Sequence, residues 1–313
     1  MEEISFDLVG KVLEEDIVSD LNILLLKKGS VLTETNILLL KKHNYKKVNV
    51  SEDVSFSGIY LKFVQQIEQL FTEINELKDI DITEWFEENQ RIISEVQPVA
   101  SFIDQLYQMK TEHTLPRHSA NVGLLAFYIG KLLRYSMKNK IILWQMGVVH
   151  DIGKVKVPSK MITHPEIGWS MLKEVKGVNA QMLNAARQHH ECIDGSGYPK
   201  GVNIKYLSVM VQIISVANTI NNFLVKNENI FSLINYLIDE TKKNKLNPAI
   251  IIPFVRHILG NSVGKHVMLN DKTVAEIVFI HENEPSQPLV HIKNTDVYVD
   301  LRKDHLLEII AFA

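Results

Sequence analysis

His189 and His190 stand side by side, directly ahead of Glu191 and a glycine-rich turn, Asp194-Gly195-Ser196-Gly197-Tyr198-Pro199. A second doublet, His150-Asp151, interrupts an apolar run within Val148-Val149-His150-Asp151-Ile152-Gly153-Lys154. Two adjacent imidazoles, a carboxylate–histidine doublet and such a turn are hard to explain as ordinary packing. A lone histidine is most often a satisfied core or surface residue. The set His118, His150, Asp151, His164 and His189 reads differently, because it falls in one helical region in polar company. Imidazole suits zinc, iron, nickel and copper, and mixed imidazole–carboxylate ligation suits iron or manganese. A carboxylate next to a histidine can also bridge two cations. The turn after His190 follows from local chemistry: glycine supplies positive φ and proline stops a following helix.

The surrounding pattern predicts a mainly α protein. From 57 to 255 apolar residues recur at three- and four-residue steps, as in Ile59, Phe63, Ile67, Leu70, Phe71, Ile74 and Leu77, or Val122, Leu125, Ala126, Ile129 and Leu132. Thr83 to Val96 reads as one more helix. Residues 1–50 read as a small α+β unit. Its strands are expected at Ile4–Leu8, Lys11–Val18, Ile23–Lys27 and Tyr45–Val50, with a hydroxyl-capped helix opening at Thr33. Beyond Asn261, strands are expected at Val263–Leu269, Thr273–His281, Pro288–Ile292 and Asp296–Leu301. The expected units are therefore 1–55 (α+β), 56–260 (helical bundle) and 261–313 (β-rich).

Composition narrows the setting. A net charge of −3 gives no general attraction to nucleic acid or anionic membrane, so neither is an expected partner and an anionic ligand needs local cations. One cysteine, Cys192, excludes an intrachain disulfide and fits a reducing compartment; it is read as pocket lining. No apolar run reaches the ~18–20 residues that cross a bilayer, and Met1-Glu2-Glu3-Ile4 is not a secretory start. The expectation is a soluble cytoplasmic protein.

The motifs resemble those of the HD-GYP proteins, a subgroup of the HD metal-dependent phosphohydrolases. They are Arg117-His118-Ser119, His150-Asp151-Ile152-Gly153-Lys154, His164-Pro165-Glu166-Ile167-Gly168, His189-His190-Glu191 and Gly197-Tyr198-Pro199. The resemblance implies an HD-type helical bundle and hydrolysis of cyclic di-GMP at a two-metal centre, iron or manganese. It implies that His118, His150 and Asp151 hold one divalent ion and that Asp151 bridges to a second, held by His164, His189 and His190. Asp151 and Lys154 would be catalytic, with Lys154 facing the substrate phosphate. Gly197, Tyr198 and Pro199 would shape the pocket. A signalling-protein partner and a homodimer are left open.

Four departures from the family pattern stand out. Asn218, in Val216-Ala217-Asn218, replaces the aspartate that completes the first metal site and would be a weak ligand. Leu224-Val225-Lys226-Asn227-Glu228-Asn229 replaces a basic substrate-gripping segment. The interval from Asp151 to His164 is short. Thr114 stands where some members place a glutamate for a third metal, so two metals at most are expected. Two alternatives to an active cyclic di-GMP phosphodiesterase follow: a degenerate module that binds metal or nucleotide and regulates a partner, and a phosphohydrolase for another nucleotide.

Overall fold

The computed structural model describes residues 2–19, 23–52, 56–95, 113–157, 162–226, 230–260, 262–281, 284, 286–304 and 306–312. Glu112, Met161, Asn227–Asn229, Asn261 and the Val96 end of the expected 83–96 helix lie outside them. The elements run β1 (Glu2–Glu3), β2 (Lys11–Leu13), β3 (Ile17–Val18), β4 (Leu24–Leu26), α1 (Glu34–Lys42), β5 (Lys47–Val48) and β6 (Val50–Glu52). Helices α2 (Phe56–Asn75), α3 (Ile82–Glu88), α4 (Arg91–Glu95), α5 (Leu115–Leu132) and α6 (Met137–Val149) follow. A 3₁₀ turn at Ile152–Val155 leads to α7 (His164–Lys173), α8 (Ala180–Gln188), α9 (Val209–Lys226), α10 (Ile230–Lys242) and α11 (Pro248–Gly260). Five strands close the chain: β7 (His266–Leu269), β8 (Val274–Phe279), β9 (Leu289–Ile292), β10 (Tyr298–Asp300) and β11 (Ile309–Phe312).

The protein is mainly α, as its periodicity predicts. Helix starts are set by short polar side chains. Thr33 Oγ1 accepts from Asn36 N at 3.2 Å, and Asn36 Oδ1 accepts from Thr33 N at 2.9 Å, a reciprocal cap on α1. Asn179 Oδ1 accepts from Gln181 N and Met182 N at 2.9 and 3.0 Å and opens α8. Thr114 caps α5, accepting from Arg117 N at 3.4 Å. The glutamate-like role considered for position 114 is thus replaced by a structural one.

Two departures from expectation have local causes. The 83–96 segment is not one helix: α3 stops at Glu88, and the side-chain amide of Asn89 donates to Trp85 O at 2.8 Å, satisfying a carbonyl at the helix end. The Ile4–Leu8 run forms a 3₁₀ turn at Phe6–Leu8 and not a strand, and the strands of this unit are two or three residues long. Apolar character there serves a small core of its own, with Leu8, Leu13, Leu32, Ile37, Leu40 and Val48 buried together.

The main core lies among α2, α5, α6, α9 and α11. Trp144 on α6 anchors it, with the Phe86 ring at 4.9 Å and the Phe63 ring at 5.7 Å. The C-terminal sheet is antiparallel, in the order β10-β9-β8-β7-β11. Its alternate residues Val267, Leu269, Ala275, Ile277 and Val290 are buried within that same main core. Strand β11 was not anticipated; it pairs with β7 and closes one edge of the sheet. Among the described residues no helix is long and apolar enough to cross a membrane.

The element that matters most for the site is the 3₁₀ turn, which packs on the first turn of α7. A Cβ on Gly153 would lie 2.0 Å from His164 O and 2.6 Å from Gly168 N, both backbone atoms. Only glycine permits this approach.

Candidate metal centre

Helix ends deliver the polar groups to one point. His118 lies in the first turn of α5, and His150 follows the last residue of α6, with Asp151 next. His164 is the first residue of α7, and His189 and His190 follow the last residue of α8. All of these except His118 and His190 are buried, and Asp151 is fully so.

Asp151 sits at the centre. Its Oδ2 faces His118 Nε2 at 3.1 Å and His150 Nε2 at 3.4 Å. Its Oδ1 faces His164 Nε2 at 3.1 Å and His189 Nε2 at 3.2 Å. His190 Nε2 lies 3.1 Å from His164 Nε2. The ligand-capable atoms thus fall into two groups, His118–His150–Asp151 and Asp151–His164–His189–His190, each within 4.8 Å of one another. One carboxylate oxygen serves each group, which is how a bridging carboxylate is placed.

The opposite edges of the rings are held. His150 Nδ1 donates to Gly147 O at 2.7 Å, and His189 Nδ1 to Ala185 O at 2.9 Å. A proton on Nδ1 leaves Nε2 as a lone pair aimed inward, the tautomer that metal ligation needs. Burial pushes the pKa of His189 down to about 4 and drives those of His150 and His190 down as well. Burial pushes the Asp151 carboxyl up, but the surrounding imidazoles outweigh it and hold it well below the usual range. A neutral His150, His189 and His190 beside an ionised Asp151 are the protonation states that metal ligation needs of them.

A buried atom supports the same conclusion. Asp151 Oδ1 takes no well-aligned hydrogen bond although two Nε2 atoms lie nearby. A buried anionic oxygen without a donor is costly unless a cation meets it. Imidazoles and carboxylate together fit divalent iron or manganese. The donor set fits the ions that the motifs imply.

Two loops frame this centre. Lys154 Nζ pairs with Asp151 Oδ2 from within the 3₁₀ turn. The Tyr198 ring stacks on His190, centroids 4.5 Å apart and planes at 15°, and Tyr198 N donates to His190 O at 3.2 Å. Burial pushes the Tyr198 phenol up to about 12, with the Asp151 charge adding, so the hydroxyl keeps its proton. The Glu191 carboxylate is buried and accepts from Lys200 N at 2.7 Å and Val202 N at 3.1 Å, tying the loop down. A Cβ on Gly197 would lie 2.4 Å from His190 O and 2.5 Å from Cys192 N, so glycine lets the loop lie against the ligand segment. Cys192 interacts with Ser196 and lies in the field of Asp194, Lys245 and Glu240; it belongs to neither ligand group.

A protein-family model, the HD domain, matches residues 117–222, the stretch that contains every candidate ligand. The chain is 27% identical over 203 residues to the cyclic di-GMP phosphodiesterase PdeB of Borreliella burgdorferi, a match covering 58% of this chain and 53% of that protein. It is 25% identical over 228 residues to the 3'3'-cGAMP-specific phosphodiesterase 3 of Vibrio cholerae, covering 63% of this chain and 48% of that protein. The chain therefore spans about half the length of these curated relatives. Among solved structures, Bd1817, an HDG"Y"P protein from Bdellovibrio bacteriovorus, has a similar fold: TM-score 0.55 and 18% identity, over 82% of this chain and 94% of that one.

A cavity of about 270 Å³ opens beside the first ligand group, lined by His118, Lys154, Arg117, Asn221, Asn222 and Val225, among others. Lys154 and His118 are the expected site residues that reach it; Gly197, Tyr198 and Pro199 do not line it, and Tyr198 sits at His190 instead. Asn218 is buried on α9, with its Oδ1 accepting from Asn222 Nδ2 at 2.8 Å. Sequence reasoning passed over Arg117 as a cavity residue, although it precedes His118, and passed over Asn121, Asn221 and Tyr60. Asn221 Nδ2 lies 2.7 Å from His118 Nδ1, Asn121 Nδ2 donates to Asn221 Oδ1 at 3.0 Å, and Tyr60 Oη donates to Asn121 Oδ1 at 2.5 Å. The available signal was an amide on the face of each helix that also carries a candidate ligand, Asn121 three residues after His118 and Asn221 three residues after Asn218.

Proposed function

We propose that this HD domain is a metal-dependent phosphodiesterase that opens a cyclic dinucleotide, cyclic di-GMP, at a centre of two divalent transition-metal ions. His118, His150 and Asp151 hold one ion; Asp151, His164, His189 and His190 hold the other. The observation that carries this reading is the division of labour at Asp151, each of whose oxygens faces a separate group of imidazoles. When bound, such an ion pair neutralises phosphate charge and supplies a nucleophile from water at neutral pH. The printed activities of the relatives, on cyclic di-GMP and on 3'3'-cGAMP, support the substrate class.

The chain's own residues then bind and orient. Net charge is negative, so the anionic substrate is drawn by local cations, Arg117 and Lys154 in the cavity wall. Lys154 also tempers the buried charge of Asp151. The Tyr198 ring covers one face of His190, and its hydroxyl, protonated up to about pH 12, is a hydrogen-bond donor on that side of the centre and not in the cavity wall. Asn218 is a weak ligand: its amide carries no charge, and its oxygen already accepts from Asn222. This makes the first ion the more weakly held of the two. An intracellular signalling nucleotide as substrate places the reaction in the cytoplasm.

The test is turnover by protein purified without oxygen and supplied with Fe²⁺ or Mn²⁺, on cyclic di-GMP and 3'3'-cGAMP in parallel. The expected result is hydrolysis of cyclic di-GMP that disappears in His150→Ala and Asp151→Ala and rises in Asn218→Asp. Faster hydrolysis of 3'3'-cGAMP would reassign the substrate. Binding of either without turnover at full metal loading would contradict the enzymatic reading and leave a nucleotide-binding module.

A further inference from the structure

His118 differs from His150 and His189 in how its outer nitrogen is held. His150 and His189 point Nδ1 at backbone carbonyls, which accept only, so their tautomer is fixed. His118 points Nδ1 at the side-chain amide of Asn221, at 2.7 Å. An amide presents either an acceptor or a donor, and the two faces are nearly isosteric. The choice is not made locally. Asn221 is bonded to Asn121 at 3.0 Å, and Asn121 to the Tyr60 hydroxyl at 2.5 Å. Asn121, Asn221 and Tyr60 are all buried, and they come from three helices, α5, α9 and α2.

Such a chain can run in two senses. With Tyr60 donating, each amide oxygen accepts from the Tyr60 side and the Asn221 NH₂ meets His118 Nδ1, which puts the ring proton on Nε2. With both amides turned over, His118 Nδ1–H donates to Asn221, Asn221 to Asn121 and Asn121 to the Tyr60 oxygen. The second sense alone leaves Nε2 free to hold a cation at the Asp151 Oδ2 side. We propose that Asn221, backed by Asn121 and Tyr60, is a positioning residue that sets the tautomer of His118 and thereby the affinity of the first metal site.

The chain also gives that site a mechanical address. Tyr60 lies on α2, and the N-terminal unit sits on the same helix: Gln65 Nε2 donates to Phe6 O at 2.7 Å, and Leu61 packs against the small N-terminal core. A shift of the N-terminal unit that moves α2 therefore has a hydrogen-bonded route to His118 through Tyr60, Asn121 and Asn221.

This inference rests on His118 being a metal ligand, and the experiment separates the two claims. Mn²⁺ binding to the metal-free full chain is measured by titration calorimetry for the wild type, Asn221→Leu and Asn221→Asp. The wild type is expected to bind two Mn²⁺. Asn221→Leu is expected to weaken one of them ~10–100-fold, the range for a lost supporting partner, and to leave the other unchanged. Asn221→Asp, which can only accept, is expected to restore or exceed wild-type affinity. Imidazole ¹⁵N shifts supply a second readout: in metal-free Asn221→Asp, His118 carries its proton on Nδ1. A wild type that binds no Mn²⁺ would overturn the metal reading itself. Two unaffected sites in Asn221→Leu, equal weakening of both sites in both variants, or an Nε2–H tautomer in Asn221→Asp would overturn this inference alone. The NMR arm decides the matter should Asn221→Leu fail to fold.

Discussion

Consider Gly153→Ala. The added methyl carbon would sit 2.0 Å from His164 O and 2.6 Å from Gly168 N. Both obstacles are backbone, so no side chain can swing aside. Reaching even a 3.0 Å contact requires the 3₁₀ turn and α7 to separate by about 1 Å. Asp151 precedes that turn and His164 begins α7, so the separation falls on the 3.1 Å approach of His164 Nε2 to Asp151 Oδ1. Overpacking of this kind costs about 1–3 kcal/mol, a fall in Tm of several degrees for a unit of this size. Misplacement by about 1 Å also degrades a reacting geometry by about 100-fold. The expected result is a folded protein with lowered Tm, a weakened second metal site and turnover reduced at least as much as stability. Thermal unfolding and Mn²⁺ titration would be run beside Gly260→Ala, where an added Cβ meets nothing within 4 Å and no such loss is expected. A Gly153→Ala protein with wild-type Tm and two wild-type sites would refute the claim that this contact positions His164.

Three further predictions use other parts of the site. Tyr198→Phe removes one hydroxyl donor and is expected to lower kcat/KM about tenfold with little change in Tm, within the ~0.5–1.5 kcal/mol of one hydrogen bond; unchanged kinetics would place the hydroxyl away from substrate. Glu191→Gln weakens the acceptor that holds Lys200 N and Val202 N, so amide hydrogen exchange at 194–202 is expected to quicken while α8 stays protected; unchanged exchange would mean the carboxylate is not the tether. His189 titrates near 6.5 when unfolded and about 4 when folded, so between those values the unfolded chain binds more protons and stability falls as pH falls. For the metal-free protein that loss is on the order of 3 kcal/mol across the window, read from urea midpoints at pH 7, 5.5 and 4; a flat profile would contradict the neutral, buried state of His189.

How much was legible in the sequence follows the range of the interactions. Helix α2 could be read from the spacing of Phe63, Ile67, Leu70 and Ile74, because one buried face repeats every turn. The cap at Thr33 was legible because it acts over three residues. The break at Asn89 was not, since the competing hydrogen bond to Trp85 O turns on one rotamer. Strand β11 escaped notice because Ile309-Ile310-Ala311-Phe312 carries no turn signal of its own and is defined by its partner β7. At the site, His150-Asp151 and His189-His190 announce themselves as adjacent ligand types. Asn121, Asn221 and Tyr60 do not, because their meaning arises only where three helices meet.

The central claim is that Asp151 bridges two divalent ions. Crystals of the wild type and of Asp151→Asn, grown without oxygen in Mn²⁺ and measured at the manganese edge, test it directly. The account predicts two anomalous peaks in the wild type, one beside each carboxylate oxygen, the first among His118 and His150 and the second among His164, His189 and His190. It predicts that Asp151→Asn loses at least one. A single peak in the fully loaded wild type, or two undiminished peaks in Asp151→Asn, would contradict it.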